Sequence, residues 1–407
     1  MRLLISFAAL FLSVILLQLG TGGVAPLDAL SGVELGFTKS EIGTLGSAHF
    51  FGFFIGCWWA PRLMGAVGHS RAFAAFTAAG TIGLIAHMMI VDAVAWALLR
   101  MLSGACVAGC YTIIEAWLNA KVTNETRGRA MSIYRVVDIT GSLGAQLVIG
   151  ILSPAVYFSY NLLALLCCAA LLPITVSRVE QPEMPEAPRL RPAMAWRRSP
   201  LAAMGVVVSG VTGAAFRMVG PIYGIEVGLS ADKIALFLAA YVVGGAVVQF
   251  PLGWLADKYD RRHVLIGLSV AATASCAVTV GLSGMGVASV YLGAAFFGMA
   301  TIPIYSVSAA HAHDFANTSE RVELSAALMF LYAVGAIASP VVTSALIEAY
   351  GAPAMFIFIA LTHLALLAFS LLRMRARPAP EARTAYVNTP RTSFLVGRLF
   401  GRNRDEG

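Results

Sequence analysis

Twelve apolar stretches of roughly bilayer-spanning length run through this 407-residue chain, centred near Leu12, Phe53, Gly80, Ala105, Gly144, Leu166, Val211, Val243, Ala271, Phe296, Val334 and Leu364. About 20 apolar residues in a helix cross the hydrocarbon. In lipid every backbone N–H and C=O must be satisfied internally, so such runs fold as helices. The expected fold class is therefore an all-α membrane protein with twelve transmembrane helices. Composition agrees, since apolar residues make up 58% and charged residues only 12%, against about 25% charged in soluble domains. The first stretch, Ile5 to Leu19 behind Arg2, has the look of a signal-peptide core. Its apolar character continues through Leu30, and we expect it as the first spanning helix.

Charge placement sets the expected orientation. With the N-terminus inside, the outer loops hold only Lys39 and Lys233, and most of the 28 basic residues fall in inner loops or the tail. Both termini are then expected in the cytoplasm of a bacterial cell, with the chain in its inner membrane. The net charge of +7 is a topology signal, and no aromatic-interleaved basic patch supports a nucleic-acid partner. The six cysteines, Cys57, Cys106, Cys110, Cys167, Cys168 and Cys276, all lie in apolar runs. They read as small packing residues, with no metal spacing and no cofactor implied.

The chain divides in its middle. Residues 179–199 are polar and proline-containing, with Glu180, Glu183 and Glu186 followed by Arg189, Arg191, Arg197 and Arg198. We read them as a cytoplasmic linker between an N-terminal half, 1–178, and a C-terminal half, 200–374. A weak internal echo supports two halves: Gly68-His69-Ser70-Arg71 follows the second stretch as Asp260-Arg261-Arg262-His263 follows the eighth. Beyond lies a basic tail, 375–407, expected as a plain disordered segment, with its Ser393 to Arg402 portion lying on the inner leaflet as the alternative.

Between the eighth and ninth stretches the chain reads Gly253-Trp254-Leu255-Ala256-Asp257-Lys258-Tyr259-Asp260-Arg261-Arg262. Gly253 permits close helix approach, Asp257 stands where a helix leaves the bilayer, and Lys258, Arg261 and Arg262 favour the cytoplasm. This segment resembles the loop signature of the major facilitator superfamily of secondary transporters, with Asp260 in place of the usual glycine. The resemblance implies two six-helix halves, and an acidic residue, here Asp257, that caps a neighbouring helix when the cytoplasmic side is closed. Gly65 occupies the aligned position in the N-terminal half. Glu115-Ala116-Trp117-Leu118-Asn119 and Arg127-Gly128-Arg129 are similar to the YcaD-like branch.

Charges inside spanning helices are the candidate functional residues, because each costs about 2.5–3.5 kcal/mol on insertion scales unless paired or hydrated. Arg100 and Gly104 have the spacing of a second family motif, whose arginine faces the central cavity and is tied to proton coupling. Gly104, Val107 and Tyr111 share its helix face. Arg100 is also close enough to the outer surface to snorkel. Glu115 is expected to pair with Arg129 or Arg135, and Trp117 to anchor at the interface. Arg135 and Asp138 lie three apart, hence on one face, as either a self-neutralising pair or a proton relay. Arg217, on the seventh helix, has no acid within a turn; Asp28 on the first helix is its candidate partner, with direct substrate binding and snorkelling as the alternatives. Gln18, Thr21, His49, Phe50, Tyr111, Thr212, Tyr223, Thr301 and Tyr305 are further pore candidates. His311, His313 and Asp314 read as solvated loop residues.

The functional expectation is a secondary active transporter, not an enzyme, moving a small organic solute by alternating access as a monomer among membrane lipids, with protons as a candidate coupling ion. Gly141-Ser142-Leu143-Gly144-Ala145-Gln146 carries Ala145 where exporters of the family carry proline, which favours uptake. The resemblance makes a heteroaromatic vitamin such as riboflavin a candidate solute. Proton-coupled drug or metabolite efflux is the alternative. A receptor or sensor on the same fold is the alternative of another class, and it lacks room in linker or tail for an output domain.

Overall fold

The computed structural model describes residues 2–122, 124–176, 190–282, 284–376, 384 and 386. Residues 179–189 of the expected linker and the Ser393–Arg402 portion of the tail lie outside the described residues, as does the Arg127 side chain. The regular structure of the described residues is entirely helical. The chain forms two compact units, Met1–Ala187 and Pro188–Gly407.

The first unit holds α1 (Arg2–Thr21), α2 (Val24–Glu34), α3 (Lys39–Val67), α4 (His69–His87), α5 (Ala93–Lys121), α6 (Asn124–Ile149), α7 (Tyr157–Ala169) and α8 (Leu171–Val176). Local chemistry sets the ends. The Thr38 hydroxyl accepts from the Glu41 N–H while the Glu41 carboxylate accepts from the Thr38 N–H, a capping box that starts α3. Gly68, at φ +83°, takes the left-handed conformation that ends α3 and starts α4. Asp92 accepts from the Ala95 N–H to start α5.

The second unit holds α9 (Pro192–Arg198), α10 (Pro200–Ala214), a π turn (Ala215–Val219), α11 (Gly220–Glu226), α12 (Ala231–Lys258), α13 (Arg261–Gly281), α14 (Val287–Thr301), α15 (Ile304–His313), a 3₁₀ turn (Thr318–Glu320), α16 (Arg321–Tyr350) and α17 (Pro353–Ala376). Part of the expected linker is thus helix, and Arg198 and Arg191 pair with Glu320 and Glu323 in the same unit.

Ten helical runs among the described residues are long and apolar enough to cross a membrane. The two other stretches expected to span are α4 and α6, and their chemistry explains the shortfall. Histidines close both ends of α4, with Arg71 in its first turn, and α6 carries Glu125, Arg127, Arg129, Arg135 and Asp138. Packing follows one order in both units. In the first, α1 packs on α6, α3 on α5 and α4 on α7; in the second, α10 packs on α16, α12 on α14 and α13 on α17.

Glycines set the closest of these approaches. A Cβ on Gly52 would fall 1.8 Å from the Met101 carbonyl oxygen, and one on Gly104 would fall 1.9 Å from that of His49. Gly104 therefore lets α3 and α5 touch backbone to backbone.

Candidate functional site

The first unit buries an ionic cluster. After α1 ends, the Gly22–Gly23 break lets α2 restart and turn Asp28 inward, to 2% exposure. Trp96 donates its indole N–H to the carbonyls of His87, at 2.8 Å, and Ile90, at 2.9 Å, stapling the turn between α4 and α5. Arg100 lies one helical turn further on the same face. Its Nε stands 3.2 Å from Asp28 Oδ2, the Tyr160 hydroxyl donates to Asp28 Oδ1 at 2.9 Å, and His87 Nε2 is 3.8 Å from Oδ2. Arg100 is 2% exposed, so it does not snorkel. Asp28, expected opposite Arg217, has its cation inside its own unit. Neither His87 nor Tyr160 stood out in the sequence, since each is one polar group near the end of an apolar run.

A second cluster joins α1, α5 and α6. Asp138 Oδ1 accepts from Gln18 Nε2 at 2.6 Å and from the Tyr111 hydroxyl at 3.3 Å, and Arg135 Nη1 donates to Oδ2 at 3.1 Å. The Arg135 and Asp138 side chains are about four-fifths buried. Gly141 makes this reach possible, because a Cβ there would meet Gln18 Cβ at 2.8 Å. Tyr111, on the helix face of Arg100, therefore serves Asp138. Nearby the Tyr134 hydroxyl donates to Glu115 Oε1 at 3.3 Å, and Arg135, one expected partner of Glu115, pairs with Asp138. Trp117 is buried, its ring 5.6 Å from that of His69, so it is not an interfacial anchor.

In the second unit, Arg217 is exposed on the π turn beside the fully buried Phe216. Phe216 stacks on Tyr241 at 4.2 Å and packs against Phe237 and Phe297. The Tyr223 hydroxyl is buried with no hydrogen-bond partner among the described residues, as is His363 Nδ1, whose ring's other nitrogen meets the Thr212 hydroxyl at 3.0 Å. Such π turns recur at functional sites.

The Gly253–Arg262 segment forms a third network. Arg261 is 1% exposed and donates to Asp314 Oδ1 at 2.6 Å, to the Ala310 carbonyl at 3.0 Å and to the Thr384 hydroxyl at 3.2 Å. Asp257 Oδ1 accepts from Arg261 Nη2 at 3.3 Å and from the Tyr386 backbone N–H at 2.7 Å. The neighbour close to Gly253 is the Tyr386 ring, which a Cβ would meet at 3.0 Å. Asp260 takes over the turn as the N-cap of α13, accepting from the Arg262 N–H while pairing with its guanidinium at 2.7 Å. Burial pushes the Asp260 carboxyl up, but the Arg262 bonds outweigh it and hold it below its ordinary value. At Asp314 burial wins over the pull of Arg261 and Thr384, and the carboxyl lies above its ordinary value. Lys258 rests over the Trp254 ring at 4.7 Å.

His311, His313 and Asp314 are not solvated loop residues. His311 is 4% and His313 1% exposed, and His313 bridges the Ala309 carbonyl and the Ser325 hydroxyl. Cys168 is exposed, while the other five cysteines are buried. No group of three histidine, cysteine or carboxylate side chains able to hold a metal occurs among the described residues.

Buried charge clusters within apolar helices packed in two like-ordered units make this a polytopic helical protein of membrane type. The Major Facilitator Superfamily model matches residues 10–231 and 202–404, and the chain belongs to that family. An MFS-type transporter of Enterobacter sp. strain 638 is 27% identical over 347 residues, covering 84% of this chain and 89% of its own length. The MFS-type transporter YcaD of Escherichia fergusonii is 25% identical over 323 residues, with 79% and 83% covered, which places the chain in the YcaD-like branch. Among solved structures, the nucleoside transporter NupG superposes with a TM-score of 0.70 at 16% identity, covering 93% of this chain and all of its own. A bacterial homologue of the human lysosomal transporter Spinster gives 0.72 at 14% identity, with 91% and 97% covered. Members of this family transport solutes, and the chain is not an enzyme.

Proposed function

We propose that the protein takes up a small organic solute across the bacterial inner membrane by alternating access, coupled to protons. The observation that carries the coupling is the buried Asp28–Arg100 pair at 3.2 Å. Protonating Asp28 releases Arg100 from its counter-charge, so proton binding and pairing of the arginine elsewhere are linked. The Asp138 cluster is the candidate solute site of the first unit. Gln18, Tyr111 and Arg135 donate there to Asp138, and a solute that takes these donors over from the carboxylate would be uncharged or anionic and planar; a heteroaromatic vitamin such as riboflavin meets that description. Arg217 and the Tyr223 hydroxyl, buried without a hydrogen-bond partner among the described residues, are the candidates from the second unit.

The test is solute depletion from the medium by cells with and without the gene, repeated with a protonophore. Uptake requires that a planar organic solute disappear faster with the gene, and that Asp28→Asn abolish accumulation while leaving exchange in place. Accumulation that survives both Asp28→Asn and the protonophore would sink the coupling. Orientation is tested on single-cysteine variants in intact cells. An impermeant thiol reagent should label position 39 or 233 and spare position 197; the reverse pattern overturns the proposed orientation, with both termini inside.

A further inference from the structure

We propose that His87 is a proton-binding site that shares its proton with Asp28. The geometry fixes the tautomer. His87 Nδ1 lies 2.7 Å from the Gly83 carbonyl oxygen, which can only accept, so Nδ1 carries a hydrogen. Nε2 is then a bare lone pair in the neutral ring and an N–H in the charged one. It faces Asp28 Oδ2 at 3.8 Å, and no hydrogen-bond partner for Nε2 exists among the described residues. Two lone pairs facing each other in a dry site repel. One proton on either atom replaces that repulsion with a hydrogen bond, and closing 3.8 Å to bonding distance needs a shift of about 1 Å.

The other groups around the pair direct the proton to this gap. Asp28 Oδ1 is already taken by the Tyr160 hydroxyl, and Arg100 approaches Oδ2 through Nε. The charged and titratable groups facing His87 are Asp28 from α2, Arg100 from α5 and Tyr160 from α7. Its ring stacks on the Tyr160 face at 5.4 Å, and the Trp96 ring lies tilted against it at 5.2 Å. Aromatic faces favour a cation, so the imidazolium is stabilised where bare hydrocarbon would oppose it. Asp28 and Arg100 sum to zero charge, and the added proton makes the cluster +1. The proton leaves as it came, to water, when the cluster is opened. For its part in transport, this site rests on the coupling proposed above.

Trp96 makes the site visible without the solute. A protonated imidazole quenches neighbouring indole emission by accepting an electron, and Trp96 is in ring contact with His87. Purified protein in nanodiscs is titrated with acid while tryptophan emission is recorded. Trp117 lies 5.6 Å from His69, so the difference between wild type and a His87 variant isolates the Trp96 signal. His87→Asn keeps a donor for the Gly83 carbonyl and should lose the acid quench. His87→Gln is the second variant should the first not fold. Asp28→Asn, with His87 intact, should move the midpoint to lower pH by about one unit, because the attraction of the carboxylate is gone. A quench unchanged in the His87 variants, or a midpoint unmoved in Asp28→Asn, overturns the shared proton. If Asp28→Asn cells lose accumulation while the titration shows no His87 component, coupling stands and the histidine site falls. A titrating His87 in cells whose Asp28→Asn variant still accumulates solute leaves the site and removes the coupling.

Discussion

At the residue scale, a buried charge is only as stable as its partner, and Arg261 shows how this chain meets the demand. Its guanidinium is 1% exposed and uses Asp314, Asp257, Thr384 and two backbone carbonyls. Asp314→Ala removes the counter-charge and should cost about 3 kcal/mol, the lower end of breaking a buried pair because the carbonyl bonds remain. Asp314→Asn keeps an acceptor and should cost less than half of that. Thermal unfolding of the two variants in one detergent checks it; equal losses would mean that the charge carries the whole contribution and the retained acceptor none. Arg100, Arg135, Asp138 and Arg217 were legible in the sequence because a charge inside an apolar run stands out. Their partners were harder to read. Asp28, Gln18 and Tyr160 reach their partners from other helices, and one sequence carries no signal for such a pairing. His313 and Asp314 were misread as solvated because the partner that buries Asp314, Arg261, is distant in sequence.

At the element scale, helix contact here is made by missing side chains. Gly52 and Gly104 let α3 and α5 approach until carbonyl oxygens sit where Cβ atoms would be, under 2 Å away. Backbone cannot yield as a side chain can, so Gly52→Val should separate the pair and lose most of the folded protein. Gly65, on the same helix with open space around it, is the control, and Gly65→Ala should leave yield unchanged. Fluorescence-detected size exclusion of both variants decides the point. A normal yield of Gly52→Val would show that α3 and α5 need no close contact. Helix existence was legible from apolarity, and every one of the twelve expected centres falls on a helix. The breaks were less so. The interruptions at Gly22–Gly23, at the π turn before Pro221 and at Ile302–Pro303 turn single apolar runs into paired segments, and the sequence marks only their glycine and proline.

At the scale of the whole molecule, the two units repeat one packing order but not one set of charges. Asp257 stands on the second unit where Gly65 stands on the first, so an acidic latch belongs to the second unit alone. The family resemblance assigns that acid to the cytoplasmic closure. In the structure one carboxylate oxygen takes a guanidinium and a backbone N–H of the tail, while half of the side chain stays exposed. Exposure limits what these bonds contribute, to about 1 kcal/mol, since half-hydrated charges are screened. A latch of that strength shifts a closed-to-open balance roughly fivefold. Asp257→Ala should therefore slow solute depletion several-fold while folded yield stays near wild type, since Arg261 keeps Asp314. Gly65→Asp, which offers the first unit a carboxylate without a buried arginine beside it, should not compensate in the double variant. An Asp257→Ala protein that transports at the wild-type rate would remove the latch and leave the segment a packing element around Arg261.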